Sequence, residues 1–421
     1  MEFIKKLFRN KLVSNSAWLF VLQIFNTIVP LITLPYVTRV LGASNYGIFS
    51  LSLNWITYLQ VIVVFGFGYT GARKVSIHKE FDLQKLYSRI ITARVILLLC
   101  CYVVITGISL AMHISQMQLI CMNILYLMVV GVAFQLNWLF QGKQNMKIIT
   151  LVNTVARTLS VIAVFLAVKT ENHLYAYCLC YSATFMLSAA FGLLYAYKEY
   201  GLRLRFSAIP DAIAEMKDAW YLFISQAMSK IFSNVGITVL GFVASEFAIG
   251  VYSAIYKIPY VMILFFSPIS EALYPYVSVK YSHSMKEGKQ TTAICAGIVA
   301  IPFILGGCMV ILLRKFLIGF IFGEEYLAYV GLTIPFVLWA LLSILNNFLG
   351  IQYLVASGNQ KLYSQASTVG MIINVALNII KGNIFGVYGV AYAATLGELC
   401  LTLLLLLQCL RFNRMDHLKE D

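Results

Sequence analysis

A run of about 20 predominantly apolar residues recurs twelve times along this chain, each broken off by glycine, proline or clustered charge. A helix of that length crosses the ~30 Å hydrocarbon core of a bilayer. The rest of the composition agrees: 61% of the 421 residues are hydrophobic, 11% are charged, and mean hydropathy is +0.83. A water-soluble chain would carry about 25% charged residues, and no stretch here is left over for a soluble domain. The expected spans lie near 14–39, 47–70, 87–111, 117–140, 148–168, 174–197, 218–243, 249–277, 291–313, 328–351, 363–381 and 386–410.

The opening MEFIKKLFRNKL has the basic character of a signal-peptide n-region. The apolar run behind it, from Ala17 to about Val40, is too long for an h-region, so it is expected to stay as the first helix. All nine cysteines fall within apolar spans and read as packing residues, with no CxxC pair or loop-borne set for disulfides or metal.

The net charge of +14 is sorted by side. The N-terminus, the even-numbered connections and the C-terminal tail hold 22 of the 31 lysines and arginines, among them Lys5, Lys6, Arg9, Lys11, Arg73, Lys74, Lys79 and Lys85. The odd-numbered connections hold five: Arg39, Lys169, Arg314, Lys315 and Lys381. The positive-inside rule therefore places both termini in the cytoplasm, and the charge is a topology signal, not a nucleic-acid footprint.

Two pairs of segments suggest a duplicated half. GIFS at Gly47 opens the second span and GVYS at Gly250 the eighth; WLFQGKQ from Trp138 ends the fourth and YLVASGNQ from Tyr353 the tenth. Six spans per half give the halves one orientation and an axis along the membrane normal. The expected fold class is thus an all-α polytopic membrane protein of about twelve transmembrane helices in two six-helix lobes. The first lobe is residues 1–200, followed by a cytoplasmic linker 201–217, a second lobe 218–410 and a cytoplasmic tail 411–421.

Once the connections and span ends are counted, four cations remain inside spans: Arg94, Arg157, Lys230 and Lys257. A charge at mid-membrane costs about 2.5 to 3.5 kcal/mol on insertion scales, so it should face protein or a wet cavity. Arg157 lies ten residues beyond Lys147, about 15 Å deep at ~1.5 Å per residue. Thr150, Asn153, Thr154 and Ser160 share its face on a helical wheel. Similar polar faces run through Gln23 and Asn26, through Gln226, Lys230 and Asn234, and through Tyr256, Lys257 and Tyr260. The uncharged members can equally be interhelical hydrogen-bond seams. Only Glu271 and Glu398 are acidic within spans, so three deep cations outnumber their carboxylates and suggest an anion site. Arg94 is within snorkelling reach of the surface near Lys85 and Arg89. Glu398 is a salt-bridge partner or the group that a coupling ion titrates, and Glu271 pairs or is hydrated. No Walker loop, GxSxG, HExxH or CxxC set is present, and no outer connection is long enough for a catalytic platform.

LPYVTRVLGASNYGIFS, WLFQGKQNMK, SPISEALYPYVS, IFGEEYLAYVGL and GVYGVAYAATLGEL resemble the O-antigen flippases, the Wzx type of the multidrug/oligosaccharidyl-lipid/polysaccharide exporter superfamily, along essentially the whole chain. The resemblance implies two six-helix lobes around a cationic cavity, alternating access, and no cofactor. It also implies a cargo, an undecaprenyl-pyrophosphate-linked oligosaccharide (an O-antigen, capsule or exopolysaccharide repeat unit) moved to the outer leaflet of the bacterial inner membrane. Proton or sodium coupling stays open. A polysaccharide polymerase and a chain-length regulator are the implied partners. Arg39, Arg73, Gly142, Lys143 and Glu398 match positions of the family pattern, whereas Lys230 and Lys257 match none. The competing readings are a drug or metabolite antiporter, which would want an acidic interior, and a polysaccharide polymerase, which would need large outer loops.

Overall fold

A computed structural model describes residues 11–77, 82–111 and 114–420; Lys5, Lys6, Arg9 and Lys79 lie outside them. Among the described residues there is no strand, and nine stretches are long and apolar enough to cross a membrane. Two of the nine are far too long to be single crossings: 60 residues would reach about 90 Å as one straight helix. Each is folded back at a glycine with positive φ, Gly42 at 74° and Gly386 at 54°, a conformation that costs a side-chain-bearing residue about 1–2 kcal/mol. The chain therefore runs as α1 (11–41), α2 (43–64), α3 (Phe67–Ile77), α4 (Leu83–Ala111), α5 (Gln116–Phe134), α6 (Asn137–Gly142), α7 (Met146–Ala167) and α8 (Leu174–Tyr200). It continues as α9 (Ile209–Val243), α10 (Glu246–His283), α11 (Met285–Leu312), α12 (Arg314–Ile321), α13 (Thr333–Asn347), α14 (360–385) and α15 (387–420). With α9 counted as a crossing and α3, α6 and α12 too short, twelve long helices remain among the described residues, as expected from the runs.

Two compact units form, Met1–Ser233 and Asn234–Asp421. The division falls inside α9, beyond the stretch 201–217 read as a linker. The reason is electrostatic and steric. Glu215, 4% exposed, takes Lys74 Nζ at 2.6 Å and Arg89 Nη1 at 3.7 Å, while Asp211 and Asp218 take the same two cations at 3.0 and 2.8 Å. Ala212 and Ala219 sit fully buried beside Phe65, Phe67, Tyr87 and Trp138. Charges that look like a hydrated linker in the sequence are the partners of α3 and α4.

Within the first unit α5 and α7 pack on α8. In the second, α13 packs on α10 and α11, and the helix pair α14–α15 packs on α13. Outward faces are apolar: in the most hydrophobic window of α11, mean hydropathy 2.5, only 6% is buried inside the protein. Such a surface would drive aggregation in water and is at home against acyl chains.

The repeated segments fold alike. In the first unit the turn after α6 has Lys143 N donating to Leu139 O, Gln144 N to Gln141 O and Asn145 N to Phe140 O. In the second, Ser357 N, Gly358 N and Asn359 N make the same three bonds to Tyr353 O, Val355 O and Leu354 O. The structural register therefore pairs Gln144 with Gly358, both left-handed at φ 55° and 85°, and not Gly142 with Gly358 as the letters suggest. Glutamine at such a position costs about 1 kcal/mol relative to glycine. Gln144→Gly is accordingly expected to raise stability by about that amount, read as a higher unfolding temperature of the purified protein; a lowered one would show that its side chain supports the fold.

Candidate functional site

Arg157 lies midway along α7, in a continuous helix that runs from Met146 to Ala167. It is half-buried, and its Nη1 donates to Asn26 Oδ1 of α1 at 2.6 Å. No carboxylate lies within 4.0 Å of it among the described residues. The phenols of Tyr177 and Tyr181, one turn apart on α8, lie within its electrostatic reach, and both rings pack on Phe49 at centroid distances of 4.6 and 5.3 Å. An amide orients the guanidinium without neutralising it. The tyrosines were missed in the sequence, where their four-residue spacing in apolar α8 was the available signal.

The rest of the α7 stripe is engaged in seams. Thr150 Oγ1 donates to Trp18 O at 2.9 Å, Ser188 Oγ donates to Asn153 Oδ1 at 2.9 Å, and Ser160 Oγ donates to Cys180 O. Gln23 is exposed on α1. On α9, Lys230 is half-buried with no carboxylate or hydrogen-bond partner for its ammonium among the described residues, and Gln226 Nε2 makes a long 3.3 Å bond to Leu222 O.

Arg94 differs from the snorkelling residue expected. It is 3% exposed; its Nη1 donates to Ala133 O at 3.1 Å and Gln135 O at 2.9 Å, and its guanidinium sits 6.0 Å from the Phe67 ring. The carbonyls at the end of α5 lack helical partners, and Arg94 supplies them with charge-assisted donors. Sequence distance to the nearest surface charge cannot reveal that a helix end lies alongside.

In the second unit, Tyr252, Tyr256 and Tyr260 form a ladder along α10, with centroids 6.3 and 5.6 Å apart, and Phe336 and Trp339 of α13 flank Tyr256. Lys257 is exposed with its ammonium 5.6 Å from the Tyr260 ring, and Asn234 is half-buried on α9. Glu398 on α15 is 8% exposed; Asn346 Nδ2 donates to its Oε2 at 2.6 Å, and Thr402 Oγ1 donates to Asn346 Oδ1 at 2.7 Å. Among the described residues no cation lies within 4.0 Å of Glu398, so it is not a salt-bridge partner there. Glu271 is exposed and accepts from Ser267 Oγ at 3.2 Å.

The family-pattern positions separate. Arg39 is exposed near the end of α1. Arg73, on α3, and Gly142, at the end of α6, line one cavity of about 480 Å³ in the first unit, while the neighbouring Lys143 lies 5.8 Å from the Tyr200 ring.

Residues 12–281, more than half of the chain, match the model of the polysaccharide biosynthesis protein family. The chain belongs to that family. This polysaccharide biosynthesis protein is also similar along nearly its whole length to two curated relatives, each described as "Putative O-antigen transporter". The one from Shigella dysenteriae is 23% identical, over 93% of this chain and 98% of that one. The one from Escherichia coli K12 is 23% identical, over 95% and 97%. Two solved structures share the fold. An inward-facing MATE family transporter of the MOP superfamily superposes with a TM-score of 0.71 at 11% identity, covering 92% of this chain and 96% of that one. The lipid II flippase MurJ in an inward closed conformation gives 0.68 at 14%, covering 94% and 87%. The resemblance drawn from the motifs thus holds at the level of family and of the MOP fold.

Proposed function

We propose that this family member is a flippase that carries an undecaprenyl-pyrophosphate-linked oligosaccharide from the inner to the outer leaflet of the bacterial cytoplasmic membrane by alternating access. The observation that carries the reading is Arg157, a half-buried cation at mid-span whose only hydrogen-bond partner among the described residues is a neutral amide. A guanidinium held by an amide keeps its charge for a ligand, and an incoming diphosphate is the anion for which it is best shaped, since the planar fork meets two phosphate oxygens at once. Lys230, likewise without a partner among the described residues, adds a second positive group from α9. The relatives' names and the MurJ fold support a lipid-linked cargo.

In a strain lacking the gene, surface polysaccharide should disappear while its lipid-linked repeat unit accumulates on the cytoplasmic side; complementation should restore export. Intact surface polysaccharide with heightened sensitivity to cationic drugs would instead support the antiporter reading, which the fold of the MATE neighbour keeps in view.

Glu398 is the group through which a proton or sodium ion would be coupled. It is buried, and its partner among the described residues is an amide rather than a cation, so its charge has to be matched from outside the pair. Glu398→Gln keeps the shape and the amide contact. It should leave downhill exchange running while gradient-driven transport in vesicles falls roughly tenfold or more, given that a buried unmatched charge is worth more than 1.4 kcal/mol. An unchanged response to imposed proton and sodium gradients would remove Glu398 from the coupling step.

A further inference from the structure

Glycines bring α3 and α6 into an unusually close approach. A Cβ on Gly71 would fall 2.7 Å from Trp138 Cε3, and one on Gly142 would fall 2.6 Å from Val75 Cβ and 2.8 Å from Ala72 O. With the two helices held this way, the turn after α6, the outer face of α3 and the start of α1 enclose the cavity of about 480 Å³ lined by Asn15, Tyr69, Arg73, Gln141, Gln144 and Met146, among others. That volume is in the range of small-molecule sites, roughly 300–1,000 Å³.

Three features of the cavity point to a ligand. First, its lining contains one cation and no acid. The adjacent cation, Lys74, is clamped by Glu215 and Asp218, whereas the guanidinium of Arg73 makes no ion pair or hydrogen bond with any described residue. Second, the side-chain amides of Gln141 and Gln144 also make no hydrogen bond to a described residue. Third, Gln144 is held in the left-handed conformation that its duplicated counterpart meets with Gly358, and Asn15 Nδ2 donates to Gln144 O at 3.0 Å to fix the turn. Backbone strain kept at a position where glycine would relieve it argues that the glutamine side chain is used. The rim is apolar: exposed Leu19 lines the mouth, and Phe20, Ile24 and Ile28 continue as exposed apolar residues along α1. Exposed polar donors from Arg73, Gln141 and Gln144 beside an apolar track on α1 are complementary to an amphiphile with an anionic head. The surrounding charge agrees, because this is the end of the unit where Lys143 and Lys147 sit and which the distribution of lysine and arginine places in the cytoplasm.

We propose that this cavity binds the phosphate head group of an inner-leaflet lipid, with Arg73 pairing the phosphate, Gln141 and Gln144 donating to its oxygens or hydroxyls, and an acyl or prenyl chain lying along α1. The proposal does not depend on the transport reading. Two lipids carry the required chemistry, an anionic phospholipid and the polyprenyl diphosphate carrier, and the test separates them.

The full-length protein is purified in detergent, equilibrated with equal amounts of phosphatidylglycerol and phosphatidylcholine, and its bound lipid is counted by native mass spectrometry. The wild type is expected to retain phosphatidylglycerol in preference to phosphatidylcholine. Arg73→Glu should lower that occupancy about tenfold and Gln144→Gly about threefold, the sizes expected for a lost charge-assisted and a lost neutral hydrogen bond. Lys361→Glu, the same charge change at an exposed position outside the cavity, should leave it unchanged. Gln144→Gly guards against misfolding as an explanation, because it relieves the backbone and its unfolding temperature should not fall. Equal losses in Arg73→Glu and Lys361→Glu, or phosphatidylcholine retained as well as phosphatidylglycerol, would overturn the proposal. Titrating undecaprenyl diphosphate against bound phosphatidylglycerol then assigns the source. Displacement at substoichiometric amounts identifies the carrier, and displacement only in excess identifies the phospholipid; either result supports a phosphate head-group site. Flipping activity measured on the same preparations reports separately on the proposed function.

Discussion

Replacing Arg157 with alanine should sharply reduce export of surface polysaccharide in a complemented deletion strain, with the protein still made and inserted. A charged hydrogen-bonded pair to phosphate is worth about 1.5–3 kcal/mol, so the loss in rate should be roughly tenfold to a hundredfold, and Arg157→Lys should retain part of it because the charge survives while the fork does not. Asn26→Asp is the sharper variant. Asn26 Oδ1 stands 2.6 Å from Arg157 Nη1, so the substitution leaves the arginine in place but supplies it with a permanent carboxylate. If the uncommitted charge of Arg157 is what matters, Asn26→Asp should be about as defective as Arg157→Ala. Export at the wild-type level in Asn26→Asp would show that Arg157 needs no free charge and is a structural residue of the seam between α1 and α7.

The second large effect concerns stability. Glu215 is 4% exposed and holds Lys74 and Arg89 together from α9. Glu215→Ala would leave two partly buried cations facing each other with one fewer carboxylate, and breaking such a pair costs about 3–5 kcal/mol. The purified variant should unfold at a clearly lower temperature than the wild type. Asp218 takes the same Lys74 but is 59% exposed on its side chain, so Asp218→Asn should cost less than about 1 kcal/mol. Equal destabilisation by the two substitutions would mean that burial does not decide the strength of this cluster, and the account of why α9 begins in the first unit would fail with it.

The same cluster marks where the sequence stopped being legible. Long apolar runs have one solution in a bilayer, so the number of helices and most of their bounds could be read directly; 174–197 became Leu174–Tyr200 and 148–168 became Met146–Ala167. The seventh helix was expected from 218 and starts at Ile209, because Asp211, Glu215 and Lys217 fall in the stretch expected as a cytoplasmic linker until Lys74 and Arg89 are placed opposite. Charge pairs between segments more than a hundred residues apart leave no local periodicity. Arg94 shows the converse. Its apolar neighbourhood was legible, but its partners are main-chain carbonyls at the end of α5, which no side-chain pattern encodes.

The position of Arg157 midway along an apolar helix was legible from the run of residues around it; its contact with Asn26 was not, since that partner comes from another helix. The duplication was visible in two short segments, but segments of unequal length do not fix its register. Backbone geometry fixes it: the glycine of the second unit answers Gln144 of the first, and the mismatch itself identifies a residue retained against backbone preference.

The most direct measurement is flipping in proteoliposomes that contain only this protein and a fluorescently labelled polyprenyl-diphosphate oligosaccharide in the starting leaflet. The wild type should move the labelled head group to the opposite leaflet, Arg157→Lys more slowly, and Arg157→Ala roughly tenfold to a hundredfold more slowly than the wild type. Flipping at equal rates by wild type and Arg157→Ala, or none by a wild type that is folded and correctly inserted, would contradict the claim that an unneutralised arginine at mid-membrane receives the diphosphate.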